Sequence, residues 1–437
     1  MNHAFRQPPD KGRQGWRQKG RWLALLVGLS LTSPLLLEVA GVAGVAGVLA
    51  QTVADRPLVL RRANVIDGIG DEPLLGASIL LAKGRIVSVT AGEIPVPAGA
   101  EVVDLGGRWV LPGLVDAHTH IPDLAAARAA LRSGVTSARN MGMNHFIDIG
   151  IRDLHRKGAL DLPELLSAGY HIYPRPREGL FLDFPGLIDL MGPGLHGVEA
   201  VRRVTRLMAE RGVDAIKVNA TDRAGTVSTD PRRQLYSEEE MRAIVEEARR
   251  AGLPVAAHAH GEAGGLAAVR AGVHSIEHGT YLTPATLAEM KTRGTWLVPT
   301  LATMAELLEP RNDVALQIRG KHMVPRIRET TARAIQLGVR LAAGTDTDYG
   351  STSNFRMGNE VMELVAAGLS PMAAIRAGTS GSADCLGIGQ RTGRVKPGFE
   401  ADLIVVERNP LTDLSGLLDP LLVINNGHRV EPIPPWQ

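Results

Sequence analysis

At 437 residues the chain is too long for one small domain, and a large unit of about 250 residues with a smaller companion is the natural division. Charged residues make up 22% and the formal net charge is only +2, a balance that gives no sign of nucleic acid as a partner. One cysteine, Cys385, excludes an intramolecular disulfide and any thiolate zinc site, so metal chemistry has to come from His, Asp, Glu and Lys. Cys385 itself reads as a small buried apolar residue.

Lys11, Arg13, Arg17, Lys19 and Arg21 precede an apolar run from Trp22 to Leu37, the profile of a secretory signal. Val48-Leu49-Ala50 and Val53-Ala54 offer small-residue cleavage sites. Residues 1–54 therefore read as a signal peptide or an N-terminal membrane segment. The folded part is expected to begin near Asp55 and to be periplasmic or secreted from a bacterial-type cell. Trp22 to Ala50 is long enough to span a bilayer but carries Pro34 and Glu38, so membrane contact is expected only if the segment stays uncleaved.

From Leu58 the pattern turns to short apolar or alternating runs: Leu58 to Leu60, Ala63 to Ile66, Ser78 to Leu81 and Arg85 to Val89. Turn signals at Asp67-Gly68 and Lys83-Gly84 separate them. The same character returns at the far end, in Ala401 to Val406 and Leu421 to Gly427. Residues 55–111 and 392–437 are thus expected to form one small composite β-sandwich domain from both chain ends.

Between them, over residues 112–391, strand-like runs alternate with helical patterns, as parallel strands joined by right-handed crossovers do. The runs are Gly134 to Arg139, Val213 to Val218, Pro254 to His258, Ser275 to His278, Trp296 to Thr300 and Val339 to Gly344. Ser237 with Glu240 makes a capping-box start for a helix running to Gly252. Gly212, Gly252, Gly272, Gly294 and Gly338 sit where helices end. About eight such units fit an α/β fold of the closed (β/α)8 TIM-like barrel kind better than an open sheet.

Leu111 to His120 reads as an apolar strand ending in His118 and His120. Strand side chains alternate faces, so both imidazoles project from one side, which is half of a metal site. Lys217, His258, His278 and Asp346 also fall at strand ends, where a barrel keeps its active groups. His258 and His260 share a face, and either one is a candidate ligand. Arg139, at a strand end, is a candidate for binding a substrate carboxylate, with a structural ion pair as the competing role. Glu262 and Glu277 read as supporting residues. His145, His155, His171, His196, His274, His322 and His428 lack strand-end context and are expected at the surface.

Six ordered motifs give the sequence a resemblance to the amidohydrolase superfamily, in its imidazolonepropionase-like and prolidase-like (Xaa-Pro or Xaa-Arg dipeptidase) branch. They are Pro112 to His120, Ala215-Ile216-Lys217, Ala257 to Gly261, Ser275 to Leu282, Ala343 to Asp346 and Gly393 to Leu403. The resemblance implies a binuclear site. His118 and His120 would hold one divalent ion and Asp346 would complete its shell, His258 and His278 would hold the second, and carbamylated Lys217 would bridge them. It also places His260 toward the substrate. Nitrogen and oxygen donors without thiolate suit zinc, with manganese or cobalt as alternatives.

The implied activity is hydrolysis of a C–N amide bond in a dipeptide or an N-acyl amino acid. A metal-bridging hydroxide would attack, with Asp346 as general base and then general acid. Two other readings stand beside it. In one, Lys217 is unmodified and the protein is a mononuclear hydrolase or deaminase of a cyclic amide or imidazolone. In the other, the barrel is a non-catalytic interaction protein, although all six ligand positions are occupied. Barrels of this kind often form homo-oligomers, but no motif marks an interface. The loops Ala168 to Gly179 and Thr221 to Gly225 depart from the family pattern, which leaves the substrate open.

Overall fold

The computed structural model describes residues 56–350 and 353–430. The expected signal or membrane segment lies outside them, and among the described residues no helix is long and apolar enough to cross a membrane. The N-terminal strands are β1 (Leu58–Val65), β2 (Leu74–Ala82), β3 (Arg85–Ala91), β4 (Glu101–Asp104) and β5 (Trp109–Pro112). The middle strands are β6 (Leu114–Thr119), β7 (Val135–Asn140), β8 (Glu164–Ser167), β9 (Ile216–Asn219), β10 (Val255–Ala259), β11 (Ser275–His278) and β12 (Trp296–Val298). The chain closes with β13 (Leu403–Val406), β14 (Leu422–Asn425) and β15 (His428–Val430).

Strands from both ends join one mixed sheet in the order β15-β14-β13-β5-β1-β2-β3, with β4 paired to β1. Both chain ends thus contribute to one β-unit connected through a single sheet. The element that ties the chain ends together is β13, antiparallel to β5 on one side and to β14 on the other. Its run Leu403-Ile404-Val405-Val406 is buried throughout. Alternation sends Leu403 and Val405 into a core with Leu58, Ile79 and Val110, while Ile404 and Val406 join a second core with Leu114, Leu131 and Val361. A strand covered on both faces has no polar side to present, hence its unbroken apolar sequence.

The middle of the chain is parallel α/β. β6, β7 and β8 form one sheet, and β12, β11, β10 and β9 form another. Backbone bonds tie the segment after β8 to β9: Ile172 N donates to Lys217 O at 2.8 Å, and Asn219 N donates to Ile172 O at 3.0 Å. Isolated parallel bridges pair Leu297 with Leu341 and Thr119 with Thr347. The run Val339 to Gly344 is therefore held by bridges and not as the regular strand expected. The backbone leaves the extended region just beyond it, where Asp346 takes a φ of 56°.

Helix Glu238–Arg250 starts on the full capping box of Ser237 and Glu240, and Gly272, Gly294 and Gly338 end their helices in the left-handed conformation. Gly344 has a different duty. A Cβ there would lie 2.6 Å from Val298 Cγ1 and 2.9 Å from both the backbone nitrogen and the Cβ of His118. The backbone next to Asp346 thus reaches β6 only because no side chain intervenes. Gly344→Ala should destabilise the protein by about 1–3 kcal/mol through overpacking, read as a lower midpoint in urea unfolding.

Candidate metal centre

Parallel strands present their ligand groups at their carboxyl ends, and the candidate donors gather there. His118 is near the end of β6, Lys217 lies in β9, His258 in β10, and His278 ends β11, while His120 and His260 follow the ends of their strands. The donors form two groups. His118, His120 and Asp346 make one, and His258, His260 and His278 the other, with the donor atoms within 4.8 Å of one another in each. Asp346 Oδ1 lies 3.2 Å from His118 Nε2 and 3.0 Å from His120 Nε2. His258 Nδ1 lies 2.8 Å from His278 Nε2.

Each imidazole is anchored by the nitrogen that faces away from its group. His118 Nδ1 bonds Glu277 Oε2 at 2.7 Å, His278 Nδ1 bonds Thr300 Oγ1 at 2.6 Å, and His260 Nδ1 bonds Thr280 Oγ1 at 2.8 Å. His258 Nε2 donates to Asp222 O at 3.1 Å, and His120 Nδ1 lies 3.3 Å from Gly142 O. One nitrogen bound to a protein oxygen and the other turned inward is how proteins orient metal-binding histidines. Burial, more than any other effect, pushes the pKa values of His120, His258 and His278 down and that of His260 to about 3, so these rings are neutral with free lone pairs.

Lys217 completes the fit. It is 3% exposed, and its Nζ has no hydrogen-bond partner. Burial lowers its pKa to about 8, against the opposing pull of Glu277 and Asp346. An ammonium without acceptors is costly in such a place, whereas a neutral amine is the form that reacts with carbon dioxide. Burial also pushes Asp346 up, but the His118 and His120 imidazoles outweigh it and hold the carboxylate well below the usual range. The donor set therefore suits a cation at each group, with nitrogen and oxygen ligands of the zinc type.

Arg139 does not reach the cavity as a substrate ligand would. It is 1% exposed, and its guanidinium donates to Ala117 O at 2.9 Å and to Glu277 Oε1 at 3.0 Å. The structural ion pair, the competing reading, is the one the structure places here. Glu277 thus lies between Arg139 and His118, and its carboxylate stays ionised because Arg139, His118 and Lys217 offset the cost of burial.

Both donor groups open into a cavity of about 600 Å³. His171, expected at the surface, is part of its wall, as are Arg177 and Arg223. Arg223 Nη2 lies 2.8 Å from His171 Nε2. Loop residues give no periodic signal, and only the departure of these two loops from the family pattern marked them. Thr303 and Met304, on helix Leu301–Glu306, also line the cavity. That helix start is held by buried Glu360, whose Oε2 accepts from Ala302 N at 2.8 Å.

Three non-glycine residues at the strand ends, His278 (φ 76°), Thr300 (φ 52°) and Asp346 (φ 56°), have left-handed backbone. Such conformations cost energy and collect at functional sites. Here they lie at the two donor groups and at the hydroxyl that anchors His278.

Residues 109–430 match the Amidohydrolase family. The chain belongs to that family. It is 29% identical over 430 residues to an ochratoxinase of Aspergillus niger, covering 86% of each chain. Among solved structures it resembles a Xaa-Pro dipeptidase with bound methionine in its active site, at a TM-score of 0.77 and 26% identity, over 86% of this chain and 100% of that one. It also resembles a prolidase complexed with N-methylphosphonate-L-proline, at a TM-score of 0.75 and 27% identity, over 86% of this chain and 100% of that one.

Arg139→Met should cost about 3–5 kcal/mol in chemical unfolding, because Glu277 would keep its buried charge without its cationic partner. Burial raises the folded-state pKa of Glu360 from 4.5 to about 8. Folding then keeps a proton that the unfolded chain releases, so this contribution is fully present below pH 4.5 and is lost as pH rises through about 8. Glu360→Gln should flatten that loss, measured by urea unfolding across the same window.

Proposed function

We propose that the protein is a binuclear metal-dependent amidohydrolase that cleaves a C–N amide bond in a dipeptide or an N-acyl amino acid. The observation that carries this is the convergence of two histidine-containing donor groups on one cavity, with the unpartnered Nζ of Lys217 beside them. The related ochratoxinase, Xaa-Pro dipeptidase and prolidase support the reaction class. We read the parallel strands and their bridges as a (β/α)8 barrel carrying this site at its carboxyl end, and residues 1–54 as an export signal.

His118, His120 and Asp346 would hold one divalent cation and His258 and His278 the other, zinc being the first candidate. The amine of Lys217 would add to carbon dioxide with loss of one proton, and the resulting carbamate would supply a negative charge and two oxygen donors to the cations. Bound divalent cations supply Lewis acidity and bring water into its nucleophilic form near neutral pH. Asp346 takes the proton of the attacking water. With Oδ1 turned to the two imidazoles, Oδ2 is the oxygen left for this transfer, and the same proton then goes to the departing amine nitrogen. His260 is a neutral ring anchored at Nδ1 by Thr280 Oγ1; in the tautomer in which Nδ1 accepts from the hydroxyl, Nε2 would carry the proton and, in place of a lone pair for a cation, would offer a donor to the carbonyl oxygen as charge builds on it.

The test is hydrolysis of a panel of dipeptides, N-acyl amino acids, lactams and lactones by the zinc-loaded protein beginning near Asp55. Asp346→Asn should keep the metals and lose turnover. Lys217→Ala should lose metal content and activity together, with partial recovery on adding short carboxylates. Wild-type metal content and activity in Lys217→Ala would overturn the bridging role.

A further inference from the structure

The cavity wall away from the metal donors is cationic, and Asp346 and Asp222 pull on Arg223 without forming an ion pair with it. Arg223 and Arg177 both line it, and among the described residues neither guanidinium has a carboxylate partner. The one side chain that meets the Arg223 guanidinium is His171, at 2.8 Å from Nε2 and 3.1 Å from Nδ1. That ring is neutral, because burial first and Arg223 second push its pKa well down. Burial, and then the neighbouring Arg177 guanidinium, push the pKa of Arg223 down as well. A half-buried guanidinium flanked by a second cation and a neutral ring is destabilised until an anion arrives. The planar fork of arginine fits a carboxylate in particular.

The wall is also held in place. Arg319 donates to the carbonyls of Ala224 (2.6 Å), Thr226 (2.7 Å), Val227 (3.2 Å) and Thr229 (2.7 Å). Thr229 Oγ1 donates to Arg223 O at 2.6 Å. On the other loop, Pro174 and Pro176 restrict the backbone on either side of Arg175 and leading into Arg177. The backbone that carries Arg223 is thus held before any ligand arrives, which reduces the ordering cost of binding there, while Arg177 is solvent-exposed at the rim. Asp348 is the acidic residue of the lining outside the metal donors, and its carboxylate accepts from the Gly350 amide in its own turn.

We infer that the cavity selects substrates whose leaving amino acid carries two carboxylates, with Arg223 holding one and Arg177 the other: N-acyl or dipeptide derivatives of glutamate and aspartate. The inference rests on the hydrolytic reading above for the position of the scissile bond, but it can be tested apart from it.

The experiment compares N-acetyl-L-glutamate, N-acetyl-L-glutamine, N-acetyl-L-leucine and the α-amide of N-acetyl-L-glutamate, both as substrates of the zinc-loaded protein and as ligands in calorimetry. N-acetyl-L-glutamate should exceed its α-amide by roughly 10- to 100-fold in kcat/KM and in affinity, the range of one charge-assisted hydrogen-bonded pair at half-buried Arg223, and should exceed the glutamine and leucine derivatives by about 2- to 5-fold, the range of an ion pair at exposed Arg177. Arg177→Met should bring the glutamate-to-glutamine ratio near one. Arg223→Met should weaken the three compounds with a free α-carboxylate by a similar factor, with part of the loss restored in Arg223→Lys and the circular dichroism spectrum unchanged. Binding of N-acetyl-L-glutamate with this preference but no turnover keeps the inference and overturns only the hydrolytic reading. Equal binding of N-acetyl-L-glutamate and N-acetyl-L-leucine, with or without turnover, overturns the inference.

Discussion

The site depends on one buried carboxylate. Asp116, in β6 and fully buried, accepts from His118 N at 3.1 Å, from Thr345 N at 2.9 Å, from Thr345 Oγ1 at 2.6 Å and from the Tyr349 hydroxyl at 2.6 Å. These bonds fasten the segment around Asp346 to the strand that carries His118, across more than two hundred residues of sequence. The Asp346 amide then donates to His118 O at 2.6 Å. A buried acid with this many donors is stable only as a complete set, since each lost donor leaves charge exposed to a low dielectric. Removing Thr345 or Tyr349 from the arrangement would therefore be felt at the donors themselves.

The remaining donors follow the same plan at lower cost. Threonine hydroxyls, a backbone carbonyl and Glu277 each hold one ring nitrogen, so the inward nitrogens are aimed before any ion is bound. The left-handed backbone at His278, Thr300 and Asp346 turns these residues toward one another where a regular strand would carry them past. Rigid anchors and strained backbone together make a pre-formed site, for which the surrounding hydrogen bonds supply the stability.

The cavity divides its chemistry by wall. The strand ends present neutral rings and carboxylates, while the loops present guanidiniums. The first wall suits cations and the second suits anions, so a ligand with an amide near one and negative charge near the other would be oriented by electrostatics before contact. The two loops responsible come from separate stretches, Ala168 to Gly179 and Thr221 to Gly225, brought side by side by the backbone bonds between Ile172 and β9.

The sequence by itself determined the identity and strand position of the metal-donor candidates. His118 and His120 face one side because strand periodicity is a local property, and His258 and His278 fall at or next to the ends of their strands, whereas Lys217, expected at a strand end, is the second residue of β9. The capping box at Ser237 and the terminal glycines were legible for the same reason. The union of both chain ends in one β-unit was legible as well, and tertiary structure alone decided that Arg139 turns inward to Glu277 and that His171 leaves the surface to meet Arg223. Those outcomes depend on contacts between residues far apart in sequence, and loop side chains follow no period from which such contacts can be read.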